Sequence, residues 1–277
     1  MSKLSYALVA TTLAAGSLTA CGIGSAQTSA VAEDCRPAHQ FKTVEEGVLT
    51  VASFDVLPYT KVEGKNLTGT DGDIVNAIAK LECLKLNTIS STAAASIPMV
   101  QSGRADLTAA DWYRTKARAK VVALSDPIYA DQMALISKDG ISKVEELKGK
   151  KVGTVDGYLW VDALREYLGA GLKTYANTPN VYGDLKAGRI DVVVDSFAAG
   201  AYNAKDSQTK VAEASADVPV TQSPGQSNFP MAKENTDLIK AVNEDIATLR
   251  KSGELAKILE KNGMDPSAAD PGEPRLL

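Results

Sequence analysis

From residue 48 onward, short apolar runs alternate with stretches whose apolar residues recur at helical spacing. Val48–Ser53 (VLTVAS) is a compact apolar run and predicts a strand. Residues 73–84 carry Ile74, Ile78, Ala79 and Leu81 at helical steps, which predicts a helix burying one face. A strand over 86–89, a short helix over 97–101 with Pro98 in its first turn, a strand over 105–109 and a helix over 115–121 follow. A second unit has a similar order: strand 151–155, helix 160–168, strand 173–175, helix 181–187 and strand 191–194. Two further helices are expected over 236–251 and 253–261. Strands alternating with helices mark an α/β architecture. Two units of like order predict two lobes rather than one sheet.

The first twenty residues break this pattern. Lys3 precedes a small-residue apolar run over 4–18, too short for a comfortable membrane span and the size of a signal-peptide core. The run ends in Leu18-Thr19-Ala20-Cys21, which resembles the bacterial lipobox. That resemblance implies cleavage before Cys21 and acylation of its thiol, with the chain lipid-anchored on the extracytoplasmic face of the cell membrane. Residues 1–20 are accordingly read as a signal peptide. Residues 22–32 are rich in Gly, Ser, Ala and Thr without apolar period, so a flexible tether is expected over 21–43. Export reaches an oxidising compartment, where Cys35 and Cys83 are the remaining thiols and are expected to pair; two independent buried thiols are the alternative.

Composition narrows the partners. Of 277 residues, 44% are hydrophobic, enough for a sizeable core. Thirty basic against 34 acidic residues give a net charge of −4, so nucleic acid is not an expected partner. The single histidine, His39, excludes His-clustered metal sites and two-histidine relays. No metal or cofactor is expected.

Seven collinear blocks carry a family resemblance: LTVASFDVLPY, LTGTDGDIVNAIAK, IPMVQSGRADL, TKARAKVVALSDPIY, VEELKGKKVGTVDG, LKAGRIDVVVDS and AVNEDIATLRKSGELAKILEK. Spanning about residues 45–265, they are similar to the polar-amino-acid family of ABC-transporter solute-binding proteins (family 3). The resemblance implies the type II periplasmic-binding-protein-like fold, with two α/β lobes, two hinge crossovers and a ligand cleft between them. It implies a discontinuous first lobe (44–130 with 227–265), a second lobe over 133–221, hinges near 130–132 and 221–226, and a C-terminal tail over 266–277. The implied partners are a small-molecule solute and the permease and ATPase of an importer, with the chain a monomer.

The family's T-x-x-R is matched by Thr115-Lys116-Ala117-Arg118. There the arginine forks onto the ligand's α-carboxylate, a task suited to a planar guanidinium. Asp195, after the apolar run 192–194, matches the aspartate that accepts the ligand's ammonium group, at a strand's carboxyl end. It stands four residues after Asp191 where the family usually has five, a change that would turn the side chain if the register slipped. In the first lobe the matching wall is Ser53, Phe54, Asp55, Val56 and Tyr59, with Val56 and Ala93 where the family often has aromatic residues. Bulk is gained elsewhere. Small residues before T-x-x-R become Asp111-Trp112-Tyr113, and a hydroxyl-bearing loop after Gly157 becomes Tyr158-Leu159-Trp160. Both tryptophans of the chain thus fall at cleft positions. Aromatic faces with the Asp111 carboxylate favour a ligand that is cationic or zwitterionic.

The leading reading is a binding protein that closes on a solute. A sensor or partner-binding ectodomain of the same fold is the second. A cyclohexadienyl-dehydratase-like enzyme is the third, with Asp111 or Asp156 as general acid, although no spacing singles out either residue.

Overall fold

In the computed structural model, which describes residues 34–277, Val48–Ser53 forms the expected strand and is buried from Leu49 onward. It runs parallel to Lys85–Ser90 on one side and Leu107–Thr108 on the other. Pro230–Met231 and Ala123–Leu124 complete this five-stranded sheet. A second five-stranded sheet has the order Leu172–Tyr175, Val152–Val155, Val192–Ser196, Met133–Ser137, Gln208–Val211. Its first three strands are parallel, and Met133–Ser137 runs antiparallel to both neighbours.

The chain leaves the first sheet through Ala130–Asp131 and returns through Gly225–Asn228. These crossovers pair with each other, and the second also pairs with Trp112–Tyr113. The returning chain supplies Pro230–Met231 to the first sheet, so that lobe is built from two stretches of sequence.

Each lobe has its own core. Ile74, Val75 and Ile78 of helix Thr70–Leu81 pack with Leu238, Val242 and Ile246 of Thr236–Lys251. Full burial of such a side chain contributes about 1.5–3 kcal/mol. In the second lobe, period-two alternation divides the central strands between two faces. Leu135, Val192 and Val194 meet Leu164 on one side, while Ala134, Ile136 and Val193 meet Val181 and Leu185 on the other.

Some elements differ from expectation. The first helix begins at Thr70 rather than 73, because Thr70 and Asp71 are buried although polar and so escape an apolar count. Gly69 opens it with φ of 92°, where an added Cβ would lie 2.6 Å from the Tyr59 carbonyl oxygen. The short helix runs Ala93–Gln101, with the Thr92 side chain accepting the Ala95 N–H, so Pro98 lies inside it rather than in its first turn. Met133–Ser137 is a strand that the apolar pattern does not announce, because all five residues are buried and polarity does not alternate along it.

The N-terminal segment is fastened earlier than a tether over 21–43 allows. A Cys35–Cys83 disulfide ties it to the end of the first helix. The Ala38 N–H bonds the Leu81 carbonyl at 3.2 Å, and the Asn235 side chain donates to the Lys42 carbonyl at 2.8 Å. The tail is also held: the Gln226 side-chain amide donates to the carbonyls of Pro271 at 2.9 Å and Glu273 at 2.8 Å. Cys21 and the expected signal peptide over residues 1–20 lie outside the described residues. Among the described residues, no helix is long and apolar enough to cross a membrane.

Candidate functional site

A narrow cleft with a cavity volume of about 30 Å³ lies where the two lobes face one another. That is room for no more than a few waters, so the lobes stand close together over the cleft and must part to admit a solute.

Arg118 owes its position to a local cap. Thr115 precedes helix Lys116–Val121, and its Oγ1 accepts the Arg118 N–H at 3.1 Å. The three-residue spacing of T-x-x-R is therefore the distance from an N-cap to the third helical residue. Arg118 Nη1 donates to the Tyr113 carbonyl at 2.7 Å, and the guanidinium carbon stands 4.7 Å from the Trp112 ring centroid. Burial pulls its pKa down to about 10 against the opposing pull of Asp111, which still leaves it charged at neutral pH.

Asp195 lies opposite, on the second-lobe strand Val192–Ser196 and in register with Ala134. It lines the cleft and is 1% exposed, so the shortened spacing from Asp191 does not turn it away. Its carboxylate accepts the Ser196 N–H at 2.8 Å and the Tyr182 hydroxyl at 3.0 Å. Burial nevertheless pushes its pKa up to about 7.

Asp111 adds a second carboxyl to the cleft. Its backbone has φ of 51°, unusual outside glycine, and its N–H donates to Asp71 Oδ2 at 2.7 Å. Asp71, in the first turn of its helix, also accepts the Tyr129 hydroxyl at 2.6 Å, and burial lifts its pKa to about 6. Burial, followed by the charges of Asp71 and Asp195, raises the Asp111 pKa well above the carboxylate range. Asp111 Oδ1 and the Tyr113 hydroxyl are buried without a protein partner. Both residues line the cleft, so a solute can satisfy them.

The aromatic walls form as expected. The Trp112 indole N–H is satisfied by Thr108 Oγ1 at 3.0 Å and that of Trp160 by Thr154 Oγ1 at 2.7 Å, so their polar edges are bonded within the protein. Trp112 meets Phe54 edge-on at 6.0 Å, and Trp160 meets Tyr158 at 5.5 Å and Tyr113 at 6.4 Å. Gly225 makes room for Tyr113, since a Cβ there would fall 2.2 Å from its ring. Val56 and Leu159 also line the cleft.

Three expected residues do not line it. Asp55, between Phe54 and Val56, turns to the Lys61 ammonium at 2.7 Å and the Val62 N–H at 2.8 Å. Ser53 is fully buried and donates to the Ala109 carbonyl at 2.6 Å. Tyr59 stacks on Tyr129, donates its hydroxyl to Asp131 at the hinge, and stands 3.0 Å from Ser196 Oγ. The family block marks the wall but not the facing of each residue. Ala110 and Ser196 line the cleft unannounced. Asp71 supports it from behind, and its only sequence signal is the acidic first turn Asp71-Gly72-Asp73.

Two α/β lobes, paired crossovers and a cleft with opposed charges define a solute-binding protein of the type II periplasmic fold. The chain belongs to the bacterial extracellular solute-binding proteins, family 3, whose model matches residues 49–265. It is 29% identical over 228 residues to the L-cystine-binding protein TcyJ of Escherichia coli (strain K12), covering 79% of this chain and 84% of that one. It is 28% identical over 214 residues to the lysine/arginine/ornithine-binding periplasmic protein of the same organism, covering 74% and 82%. A crystal structure of the substrate-binding protein of an amino acid ABC transporter superposes with a TM-score of 0.69 at 31% identity, covering 78% of this chain and 99% of that one. These relatives are binding proteins rather than enzymes, and the family is extracytoplasmic.

Proposed function

We propose that this chain captures an amino acid, or an amino-acid-like solute with a cationic group, and delivers it to the permease and ATPase of an ABC importer. The observation that carries this reading is one cleft lined by Arg118 from the first lobe and Asp195 from the second. A zwitterion bridges these charges only when the lobes are together, so binding shifts the population toward closure. Arg118 takes the carboxylate and Asp195 the ammonium. Asp111 Oδ1 and the Tyr113 hydroxyl take further donor or acceptor groups, and the Trp112, Trp160 and Tyr158 rings cover the apolar stem. With the Asp111 pKa raised by burial, the faces of the Trp112, Trp160 and Tyr158 rings are the groups that favour a cationic group on the solute. The names of the cystine-binding and lysine/arginine/ornithine-binding relatives are compatible with that class.

The chain works as a monomer, with residues 1–20 removed and Cys21 lipidated. Cys21→Ala is expected to release the protein from membranes or leave an unprocessed precursor. A thermal-shift screen of amino acids and betaines should raise the melting temperature with a solute bearing both charges. Arg118→Ala and Asp195→Ala should each then weaken its binding by about 2–5 kcal/mol, as in other buried charged contacts. Unchanged affinity in both folded variants would refute the two-charge clamp.

A further inference from the structure

Away from the cleft, His39 is held between two helices of the first lobe by three carboxyl groups. Its backbone N–H donates to Glu82 Oε2 at 3.0 Å. Nδ1 lies 2.5 Å from Glu82 Oε1 and 4.0 Å from Asp245 Oδ1, while Nε2 lies 2.6 Å from Glu244 Oε2. Glu82 follows helix Thr70–Leu81, and Glu244 and Asp245 belong to Thr236–Lys251. One donor atom each from His39, Glu82 and Asp245 fall within 4.8 Å of one another. Glu82 and Asp245 are almost fully buried, and Asp245 Oδ2 has no partner.

Charge and geometry favour a cation here. Two buried carboxyl groups and an imidazole converge here, and the unpartnered Asp245 Oδ2 is a buried polar atom that is costly to leave without a partner. Lys240 is exposed and lies 3.8 Å from the outer Glu244. A divalent ion with two carboxylates and a neutral imidazole sums to zero. The ring's two nitrogens already have the required division of labour. Nδ1 faces the carboxyl pair, and Nε2–H is directed to Glu244, the hydrogen bond by which a metal-bound imidazole is ordinarily oriented.

We propose that His39 Nδ1, Glu82 and Asp245 bind a divalent metal ion of the zinc class, with Glu244 orienting the imidazole from outside. Three protein ligands with a water in the fourth position are an established zinc arrangement, and one imidazole with two carboxylates lies within its donor range. The ion displaces the proton between Nδ1 and Glu82 Oε1 and spreads those atoms to roughly 3.3 Å, the spacing of two tetrahedral ligands at about 2.0 Å. A small rotation of the half-buried His39 ring supplies that distance. The site fastens the N-terminal segment to the first lobe beside the Cys35–Cys83 link. It shares no residue with the cleft.

The test is titration of chelator-treated full-length protein with Zn2+, followed by calorimetry and by melting temperature, without any solute. The wild type should take up one equivalent with micromolar or tighter affinity and melt several degrees higher. His39→Gln should weaken uptake at least a hundredfold, and Asp245→Asn should do likewise. Should Asp245→Asn fail to fold, His39→Gln, at a half-buried position, decides the matter. Absence of stoichiometric uptake by the wild type overturns the proposal in favour of a proton-bridged cluster. Equal uptake by wild type and His39→Gln also overturns it, the ion then being adventitious. Loss of Zn2+ binding with solute affinity intact separates this site from the clamp proposed above.

Discussion

At the scale of single residues, Asp195 should make solute capture depend on pH. Burial holds its carboxyl up to about 7, against roughly 3.9 in an unfolded chain. Between those values the native protein holds a proton that the unfolded chain has released, so this group's effect on stability becomes less favourable as pH rises through that window. Binding an ammonium has the opposite preference, because the proton must leave before the ion pair forms. Apparent affinity should therefore rise by up to about tenfold per unit between roughly pH 5 and 7, then level off. Asp195→Asn should bind weakly with a flatter profile. Calorimetry in buffers of different ionisation enthalpy should detect a released proton in the wild type below that plateau. A parallel pH profile in the variant would place the titrating group elsewhere. Arg118 was legible in the sequence because its Thr115 cap is a contact between near neighbours. Asp55 was not, since its pairing with Lys61 depends on how the following hairpin folds back.

At the scale of elements, contacts outside the cleft lining also join the lobes. Gly157, with φ of 82°, lies so close to the start of helix Ala93–Gln101 that a Cβ would stand 2.9 Å from the Ala94 nitrogen. Asn203 of helix Phe197–Asn203 donates to the Leu57 carbonyl at 3.0 Å, while Ala199 is buried within the first-lobe core. Gly157→Ala should hinder closure, because its methyl group meets backbone and its φ region costs an alanine about 1–2 kcal/mol. Solute affinity is expected to fall roughly tenfold or more, about 1.4 kcal/mol. Gly183→Ala is the control, since nothing lies within 4 Å of its added Cβ. Equal affinities in the two variants would show that Gly157 plays no part in closure. The elements most readable in the sequence, such as Val48–Ser53 and Thr236–Lys251, carry a local apolar pattern. Met133–Ser137 and Phe197–Asn203 take their places from partners far along the chain, and Ala93–Gln101 begins in three alanines that show no period.

For the whole molecule, the long-range ties determine which parts unfold together. The second sheet is formed by residues between the two crossovers, whereas the first needs Pro230–Met231 from beyond them. Loss of the first lobe therefore releases both hinge strands, and the helices carrying its core are also the anchors for the N-terminal segment. The Cys35–Cys83 bond, with a sequence separation of 48, closes that segment onto the first helix. A cross-link of this length restricts the unfolded chain by about 4 kcal/mol on the entropy model. In a chain of this size that corresponds to a fall of roughly 10 °C in Tm when the bond is removed. Cys35→Ser with Cys83→Ser, compared with the oxidised wild type by scanning calorimetry, measures it directly. The double variant should retain the solute affinity of the wild type at temperatures where it is folded, because neither cysteine lines the cleft. Saturating solute should raise both melting temperatures, since its stabilisation follows mass action on the native state and is independent of the cross-link. An unchanged Tm in the double variant would mean that the noncovalent contacts of residues 38–42 already hold the segment in place. A solute affinity that fell with the disulfide would instead show that the fastening of the first lobe reaches the cleft.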